Sequence, residues 1–407
     1  MTGMLFKRLV VLAFLLFVFA VSLSTLVNLG AVGLSDRHSN AQRGGDQSIE
    51  QSIEQSIEQR IEQREDLAPL NLLSGELAET IEQRFDSDFS LRQIGLNVWA
   101  AFQFRVFNEA KKGLLIGLEG WLFSNEEFIA HANAEQAIEE NIVFMAQASR
   151  LLANRDVALM IVLIPSKARL LKAQLGSHQP ALLQQSLYPL VLNSLREKGI
   201  LVVDGFQVMA GHQQPESLYL KTDTHWTPEG AALIASSTAG LVQQRLPELH
   251  IPTEKFITES TGSNAIEGDL LRFLPLAPLF DNLMPAPERI QLYQTYPAGN
   301  GAGIVEDLFI EDLFVKDPFG HDLSSKPPQV VLVGTSFSAD RRWNFHGALK
   351  QALAVDIENL SEQGQGPIVP MANFLMDYLP MSAGLKLVIW EVPERYLGQS
   401  YPQLGAL

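Results

Sequence analysis

Four nearly continuous apolar runs are the clearest pattern in the chain. They cover residues 158–164, 200–204, 330–333 and 385–390. Runs of this length without polar alternation are typical of strands that are covered on both faces, as in parallel sheets. Helical patterns precede the first two runs, at residues 134–154 and 180–198. This alternation predicts an α/β domain with a mainly parallel sheet.

The apolar pattern is lost in one long stretch of this domain. Between residues 250 and 325, Pro, Gly and Asp interrupt it repeatedly. We therefore expect an irregular insertion there. Upstream, residues 117–123 predict a glycine-bounded turn that leads into a short aromatic strand.

A long apolar segment near the amino terminus is predicted to cross a membrane. Lys7 and Arg8 precede residues 9–29, which carry no charge. About 20 helical residues at ~1.5 Å each span a bilayer core of about 30 Å. The positive charges before the segment predict that residues 1–8 stay cytoplasmic and that the rest is exported. The alternative is a cleaved signal peptide, for which the run is long and lacks an Ala-x-Ala site.

Residues 30–66 are polar and contain a short repeat. The unit Gln-Ser-Ile-Glu recurs from Gln47, with Arg60 replacing Ser in the fourth copy. Because an α-helix has 3.6 residues per turn, an Ile at every fourth position drifts around the helix. This favours a solvated spacer over a coiled coil or partner-binding helix. The catalytic domain is then predicted to occupy residues 67–407.

Composition excludes several classes of function. The chain has 46 acidic against 30 basic residues, a formal net charge of −16, which disfavours nucleic acid as a partner. It contains no cysteine, so thiol nucleophiles, disulfides and thiolate metal sites are excluded.

An acid and an imidazole stand two residues apart, directly before a predicted helix start. Asp223 and His225 precede Thr227 and Pro228, which suit the cap and first position of a helix. On an extended backbone both side chains point to one side, so the carboxylate can orient the ring. This predicts a general base, His225, held by Asp223.

Ser336 supplies a hydroxyl at the end of an apolar run. It follows residues 330–333 and Gly334, which permits a sharp turn at the carboxyl edge of the sheet, where ligands bind in open parallel sheets. Backbone N–H groups at such a turn can stabilise an oxyanion, an effect worth about 3 kcal/mol per donor. Together the three residues predict a serine nucleophile system, although each alone is more often structural.

A metal site is the alternative for the acid and imidazole pair. Asp-x-His can supply two ligands to zinc or iron, but the sequence offers no third ligand at a recognisable spacing. We therefore predict no metal and no cofactor. The other His-Asp neighbours, His321 and Asp322, lie in the irregular region and are predicted to be on the surface.

An ordered set of motifs resembles the alginate O-acetyltransferase family of the AlgJ/AlgX type. The motifs span about residues 115–398 and are Gly120-Trp121-Leu122-Phe123, Ile164-Pro165-Ser166-Lys167, Asp223-Thr224-His225-Trp226, Gly334-Thr335-Ser336-Phe337-Ser338, Trp343-Asn344-Phe345 and Trp390-Glu391-Val392-Pro393-Glu394-Arg395-Tyr396. The resemblance implies an SGNH-hydrolase-like three-layer α/β fold. It also implies a triad of Ser336 as nucleophile, His225 as base and Asp223 as its orienting acid, in a permuted order.

The resemblance further implies acetyl transfer to an exopolysaccharide in the bacterial periplasm. The acetyl source would be a membrane-bound O-acyltransferase, within a polysaccharide synthesis and secretion complex. The chain ends shortly after Arg395, without room for an AlgX-type carbohydrate-binding module, so the membrane-anchored AlgJ type is the closer likeness. The acidic charge leaves a neutral polymer such as cellulose open beside alginate. A carbohydrate acetylesterase and a non-catalytic secretion component are the alternative functions.

Overall fold

The computed structural model describes residues 92–130, 132–298 and 328–401. The predicted anchor at 9–29, the repeat within 30–66 and the pair His321 and Asp322 lie outside these residues. Among the residues that it does describe, no helix is long and apolar enough to cross a membrane.

The described residues form two compact units. The smaller comprises residues 92–108 and 275–283, and the larger comprises residues 109–274 and 284–401. In the smaller unit, the amide of Asn97 donates to the carbonyls of Pro275 and Ala277 at 2.6 and 2.8 Å. These bonds join its two chain segments. All predicted site residues belong to the larger unit.

The helices alternate with strands along the chain. The α-helices are α1 (Arg92–Phe102), α2 (Ala134–Ala153), α3 (Lys167–Leu170), α4 (Leu182–Glu197), α5 (Gly205–Ala210), α6 (Pro228–Arg245), α7 (Ser336–Ala339), α8 (Phe345–Leu353) and α9 (Ile368–Asn373). The strands are β1 (Leu114–Ile116), β2 (Leu122–Ser124), β3 (Ala158–Ile164), β4 (Leu201–Asp204), β5 (Phe256–Ile266), β6 (Glu288–Pro297), β7 (Val330–Val333), β8 (Glu358–Asn359) and β9 (Leu387–Pro393).

A five-stranded parallel sheet forms the centre of the larger unit, in the order β4-β3-β9-β7-β8. Successive strand residues point alternately into two hydrophobic cores. Ile161 and Trp390 face the core built with α2, α4 and α9, whereas Met160 and Ile389 face the core built with α6 and α8. Helices therefore cover both faces, which confirms the predicted three-layer α/β architecture with a parallel sheet.

The apolar runs predict the central strands well. β3 and β7 have the predicted bounds, and β4 begins one residue later than predicted. β9 begins two residues later than predicted and continues to Pro393, since the apolar run stops at Glu391, an acidic residue that is nevertheless fully buried in the strand. The edge strand β8 has only two residues and no apolar run, and it was not predicted.

The expectation of an irregular insertion at 250–325 is wrong for part of that stretch. β5 and β6 pair as long antiparallel strands, with a register shift between Ser260 and Gly262. Most β5 side chains are exposed or half-buried, so no apolar alternation marks the strand in the sequence. Residues 299–327 lie outside the described part of the chain.

The strand order places a topological switch point beside β3 and β9. The connection from β3 to β4 runs towards one edge of the sheet, whereas the connection from β7 to β8 runs towards the other edge. In open parallel sheets, ligands bind at the carboxyl ends of the strands where the direction reverses in this way. Ser166, Ser336 and Glu394 directly or nearly follow the carboxyl ends of β3, β7 and β9. The sheet thus gathers these three residues at one edge.

Two glycines provide a matched test of packing near this edge. A Cβ at Gly268 would overlap the carbonyl of Thr222, whereas a Cβ at Gly240, inside α6, would meet nothing within 4 Å. Gly268→Ala is expected to destabilise the fold by about 1–3 kcal/mol through overpacking. Gly240→Ala is expected to stabilise it by about 0.5–1 kcal/mol, since alanine loses less backbone entropy in a helix. Urea unfolding measures both, and equal effects of the two substitutions would contradict the predicted clash.

Candidate active site

The structure brings the three predicted residues together. His225 Nε2 lies 2.7 Å from Ser336 Oγ, and His225 Nδ1 lies 2.6 Å from Asp223 Oδ1. Ser336 is the first residue of α7, directly after β7, while Asp223 and His225 lie on the loop before α6. The hydroxyl, ring and carboxylate therefore form one continuous hydrogen-bonded chain, the arrangement that activates a serine.

The backbone before α6 differs from the expected extended form. Residues 221–225 form a bend, and Asp223 Oδ1 accepts from the backbone N–H of His225 as well as from its ring. An aspartate that bonds two residues ahead is a common turn device. The pair meets because of this local turn, and not because of strand alternation. The predicted helix start is confirmed, since the Thr227 hydroxyl accepts from the N–H of Gly230 and Pro228 opens α6.

The Asp223 carboxylate is held in its ionised form. Burial raises its pKa, but hydrogen bonds and charge from His225, together with the backbone N–H groups of Asp269 and His225, outweigh burial and lower the pKa to about 2. Its second oxygen, Oδ2, accepts from the N–H of Asp269 at 3.0 Å. A carboxylate with both oxygens engaged holds the ring in one orientation and stabilises a positive charge on it.

Aromatic side chains fix the plane of the His225 ring. Trp343 stacks on it with ring centroids 5.3 Å apart and an interplanar angle of 21°. Phe337 contacts it at 4.7 Å, and Trp226 packs on Phe337 at 5.2 Å. Because Trp226 and Trp343 are fully buried, the imidazole has little room to rotate.

Two carboxylates from the insertion hold the backbone of this loop. Glu288 of β6 accepts from the N–H groups of Lys221 and Thr222 at 2.7 and 2.8 Å. Asp269 accepts from the N–H and hydroxyl of Thr224 at 2.8 and 2.7 Å. The sequence pattern did not reveal either residue. Both lie in the stretch that is predicted to be irregular. The sequence there does not distinguish an acidic residue that binds the loop backbone from one on a solvated surface.

The turn that presents Ser336 is held by a buried carboxylate on β9. Glu391 accepts from the N–H of Thr335 at 2.8 Å, from its hydroxyl, and from the hydroxyl of Ser338 at 3.0 Å. A Cβ on Gly334 would press against Glu391 and Ser338. Glycine is therefore required at position 334 because the side chains of Glu391 and Ser338 lie so close to its backbone. The sequence alone predicts a different reason, the conformational freedom of glycine in a turn.

The structure adds a third candidate ligand to the metal alternative. Ligand atoms of Asp223, His225 and Asp269 lie within 4.8 Å of one another. These atoms are already engaged, however: both ring nitrogens of His225 bond within the triad, and both oxygens of Asp269 accept from Thr224. A metal would have to displace these bonds, so the donor set fits a hydrogen-bonded triad better than a metal centre.

Comparisons with known proteins identify the family of the chain. The profile of the family described as SGNH hydrolase-like domain, acetyltransferase AlgX matches residues 114–394. The chain belongs to this family. Proteins named "Probable alginate O-acetylase AlgJ" from Pseudomonas aeruginosa and Azotobacter vinelandii are 39% and 38% identical to it over 331 and 332 residues. These alignments cover 80% and 81% of the chain and 81% of each relative.

Solved structures support the same fold. The chain superposes on the "O-Acetyltransferase Domain of Pseudomonas putida AlgJ" with a TM-score of 0.62 and 34% identity, covering 72% of this chain and 99% of that one. It superposes on AlgX of Pseudomonas aeruginosa with a TM-score of 0.53 and 20% identity, covering 74% of this chain and 67% of that one. The SGNH-like α/β fold that the motifs imply is therefore confirmed.

The buried Glu391 makes a testable contribution to stability. Burial raises its pKa from 4.5 to about 7, although the bonds from Thr335 and Ser338 oppose the rise. Because the folded-state pKa lies above the unfolded one, its contribution to the free energy of unfolding falls as pH rises from 4.5 to about 7. At ~1.4 kcal/mol per pKa unit, the loss is about 3 kcal/mol.

We expect Glu391→Gln to remove this dependence, because glutamine mimics the protonated carboxyl and does not titrate. Relative to the unmodified protein, the variant should gain stability across the same pH interval, by up to about 3 kcal/mol. Denaturant unfolding at acidic, neutral and mildly alkaline pH measures the gap between the two proteins. A gap that stays constant with pH would contradict the buried, protonation-sensitive role of Glu391.

Proposed function

We propose that this protein is an O-acetyltransferase that transfers acetyl groups to alginate through an acetyl-serine intermediate. The observation that carries the proposal is the 2.7 Å contact between His225 Nε2 and Ser336 Oγ, with Asp223 on the opposite nitrogen. Membership of an acetyltransferase family and relatives named alginate O-acetylases support the choice of reaction and acceptor.

In the first half-reaction, Ser336 Oγ attacks the carbonyl carbon of an acetyl donor. His225 Nε2 takes the hydroxyl proton, and the imidazolium that forms is stabilised by Asp223. The tetrahedral intermediate collapses when the bond to the leaving group breaks, and His225 returns the proton to that group. Ser336 then carries the acetyl group as an ester.

In the second half-reaction, a sugar hydroxyl attacks the acetyl-serine. His225 removes the proton of this hydroxyl and delivers it to Ser336 Oγ as the ester bond to the serine breaks. The products are an acetylated sugar and the regenerated serine. The same groups act in both halves, so one base at one position suffices.

The oxyanion of each tetrahedral intermediate needs a donor beside Ser336. The N–H of Thr335 donates to Glu391, and the N–H of Phe337 donates to the Thr335 hydroxyl. The backbone N–H of Ser336 lies between these two engaged groups at the first position of α7. We assign the first oxyanion contact to this N–H, because the first N–H groups of a helix have no partner within it.

The proposed setting is the periplasmic face of the bacterial inner membrane. The uncharged segment at 9–29 would anchor the chain, and a membrane-bound O-acyltransferase would supply the acetyl group. The net charge of −16 opposes tight binding of an anionic polymer and favours brief encounters within a polysaccharide secretion complex. Brief binding of the polymer suits an enzyme that must release the acetylated product before it accepts the next acetyl group.

Two alternative functions differ from acetyl transfer in what happens at Ser336. A carbohydrate acetylesterase would pass the acetyl group of Ser336 to water, and a non-catalytic secretion component would not form the acetyl-serine at all. The hydrogen-bonded chain of Asp223, His225 and Ser336 favours catalysis over a non-catalytic role. The relatives named alginate O-acetylases favour transfer of the acetyl group over its hydrolysis.

Transfer is tested with purified protein, para-nitrophenyl acetate and deacetylated alginate. We expect acetyl esters to appear on the polymer and release of para-nitrophenol to depend on Ser336. Ser336→Ala should lower this release at least ~10³-fold, as expected for loss of a triad nucleophile. Ser338→Ala, the same substitution two residues on, should cost less than ~10-fold, because its hydroxyl bonds Glu391 and not His225.

Each alternative function predicts its own result, the first in this assay and the second in cells. Acetate released at a rate that does not depend on added polymer, with no ester on the polymer, would indicate an acetylesterase. If Ser336→Ala leaves polymer acetylation in cells unchanged, the protein is a non-catalytic component and the proposal is wrong.

A further inference from the structure

A lysine ammonium group is buried directly beneath the loop that carries the triad acid. Lys167 is the first residue of α3 and is 1% exposed. Its Nζ donates to the backbone carbonyls of Asp223 at 2.9 Å and Lys221 at 3.0 Å. These bonds join the carboxyl end of β3 to the loop before α6, 56 residues further along the chain.

Burying this charge is costly, so its surroundings must compensate. An unpaired ion inside a protein costs several kcal/mol, and the cost falls only with good hydrogen bonds and nearby opposite charge. The ammonium lies 5.3 and 5.2 Å from the rings of Trp121 and Phe123, within cation–π range. Burial lowers its pKa to about 8, against the pull of the acidic groups that face it, which are Glu127, Glu288, Asp223 and Asp269.

Lys167 binds carbonyl groups of the loop at residues 221–225, whereas two carboxylates bind N–H groups of the same loop. Glu288 and Asp269 engage the N–H groups of residues 221, 222 and 224, whereas Lys167 engages the carbonyls of residues 221 and 223. A bend of this kind lacks the regular ladder that fixes a strand or a helix. The Asp223 carbonyl therefore depends on Lys167 for its position, and the carboxylate of the same residue orients His225.

We propose that Lys167 is a positioning residue for acetyl transfer, which holds the backbone of Asp223 so that the Asp223 carboxylate keeps His225 in line with Ser336. The role rests on the proposed function, because it acts through the triad. It requires no contact between Lys167 and the substrate. It predicts a loss in kcat with little change in KM, since the groups that bind the acetyl ester stay in place.

The test uses the purified full chain and para-nitrophenyl acetate. Lys167→Met keeps the length of the side chain and removes its charge and donors. A small misplacement of a catalytic group costs on the order of 100-fold, so kcat should fall by about that factor while KM changes less than ~3-fold. Lys172→Met is the matched control, since Lys172 is exposed in the same segment. It should retain the unmodified kcat.

A spectroscopic readout separates positioning from general stability. The proton of His225 Nδ1, shared with Asp223 Oδ1 across 2.6 Å, should give a far-downfield NMR resonance in the unmodified protein. It should shift or broaden in Lys167→Met and stay unchanged in Lys172→Met. If Lys167→Met does not fold, Lys167→Gln replaces it, because its amide still offers a donor to the carbonyls. That variant should lose at least ~10-fold in kcat.

The outcomes distinguish this inference from the proposed function. An inactive Ser336→Ala, with a folded Lys167→Met or Lys167→Gln of unmodified kcat and an unchanged resonance, would refute the role of Lys167 alone. A Ser336→Ala variant with full activity would instead refute the triad itself.

Discussion

The proposed active site depends on how charged side chains hold an irregular loop. Residues 221–225 carry both the proposed acid and the proposed base, yet they belong to no helix and no sheet strand. Their backbone groups are instead engaged by Glu288, Asp269 and Lys167. Lys167 is buried, which is costly for an unpaired ion, and the carbonyls that it binds offset this cost. Together with backbone bonds from Leu122, Leu220 and Leu270, charged side chains from distant parts of the chain therefore fix the geometry of the loop.

The proposed nucleophile, Ser336, is held in a comparable way from the other side. Glu391 lies inside the central strand β9 and binds the turn that presents Ser336. The sheet and the insertion thus position the two halves of the triad separately. The aromatic contacts of His225 with Phe337 and Trp343 then join the halves, because both rings follow Ser336 closely in the chain. An acyl-transfer site built this way is preorganised before a donor arrives.

The sequence predicts the central strands and the proposed reacting groups, but it does not predict the charged residues that hold those groups in place. Strands β3 and β7 are recognisable because residues buried on both faces must be apolar, and Asp223, His225 and Ser336 form a recognisable set of residue types. Lys167, Glu391 and Asp269 are of types that are usually solvated, so the burial of the first two and the loop contacts of the third follow only from partners 45–56 residues away. β5 and β6 escape prediction because an exposed hairpin needs no apolar alternation. Long-range pairing, which local patterns do not encode, accounts for these differences.

In the proposed mechanism, Ser336 accepts the acetyl group. The most direct measurement is the intact mass of the purified protein after brief mixing with an activated acetyl ester, followed by peptide mapping. We expect one added acetyl group on the peptide that contains Ser336, absent from Ser336→Ala and removed when acceptor polymer is added. An adduct that forms equally on Ser336→Ala, or that maps to another residue, would contradict it.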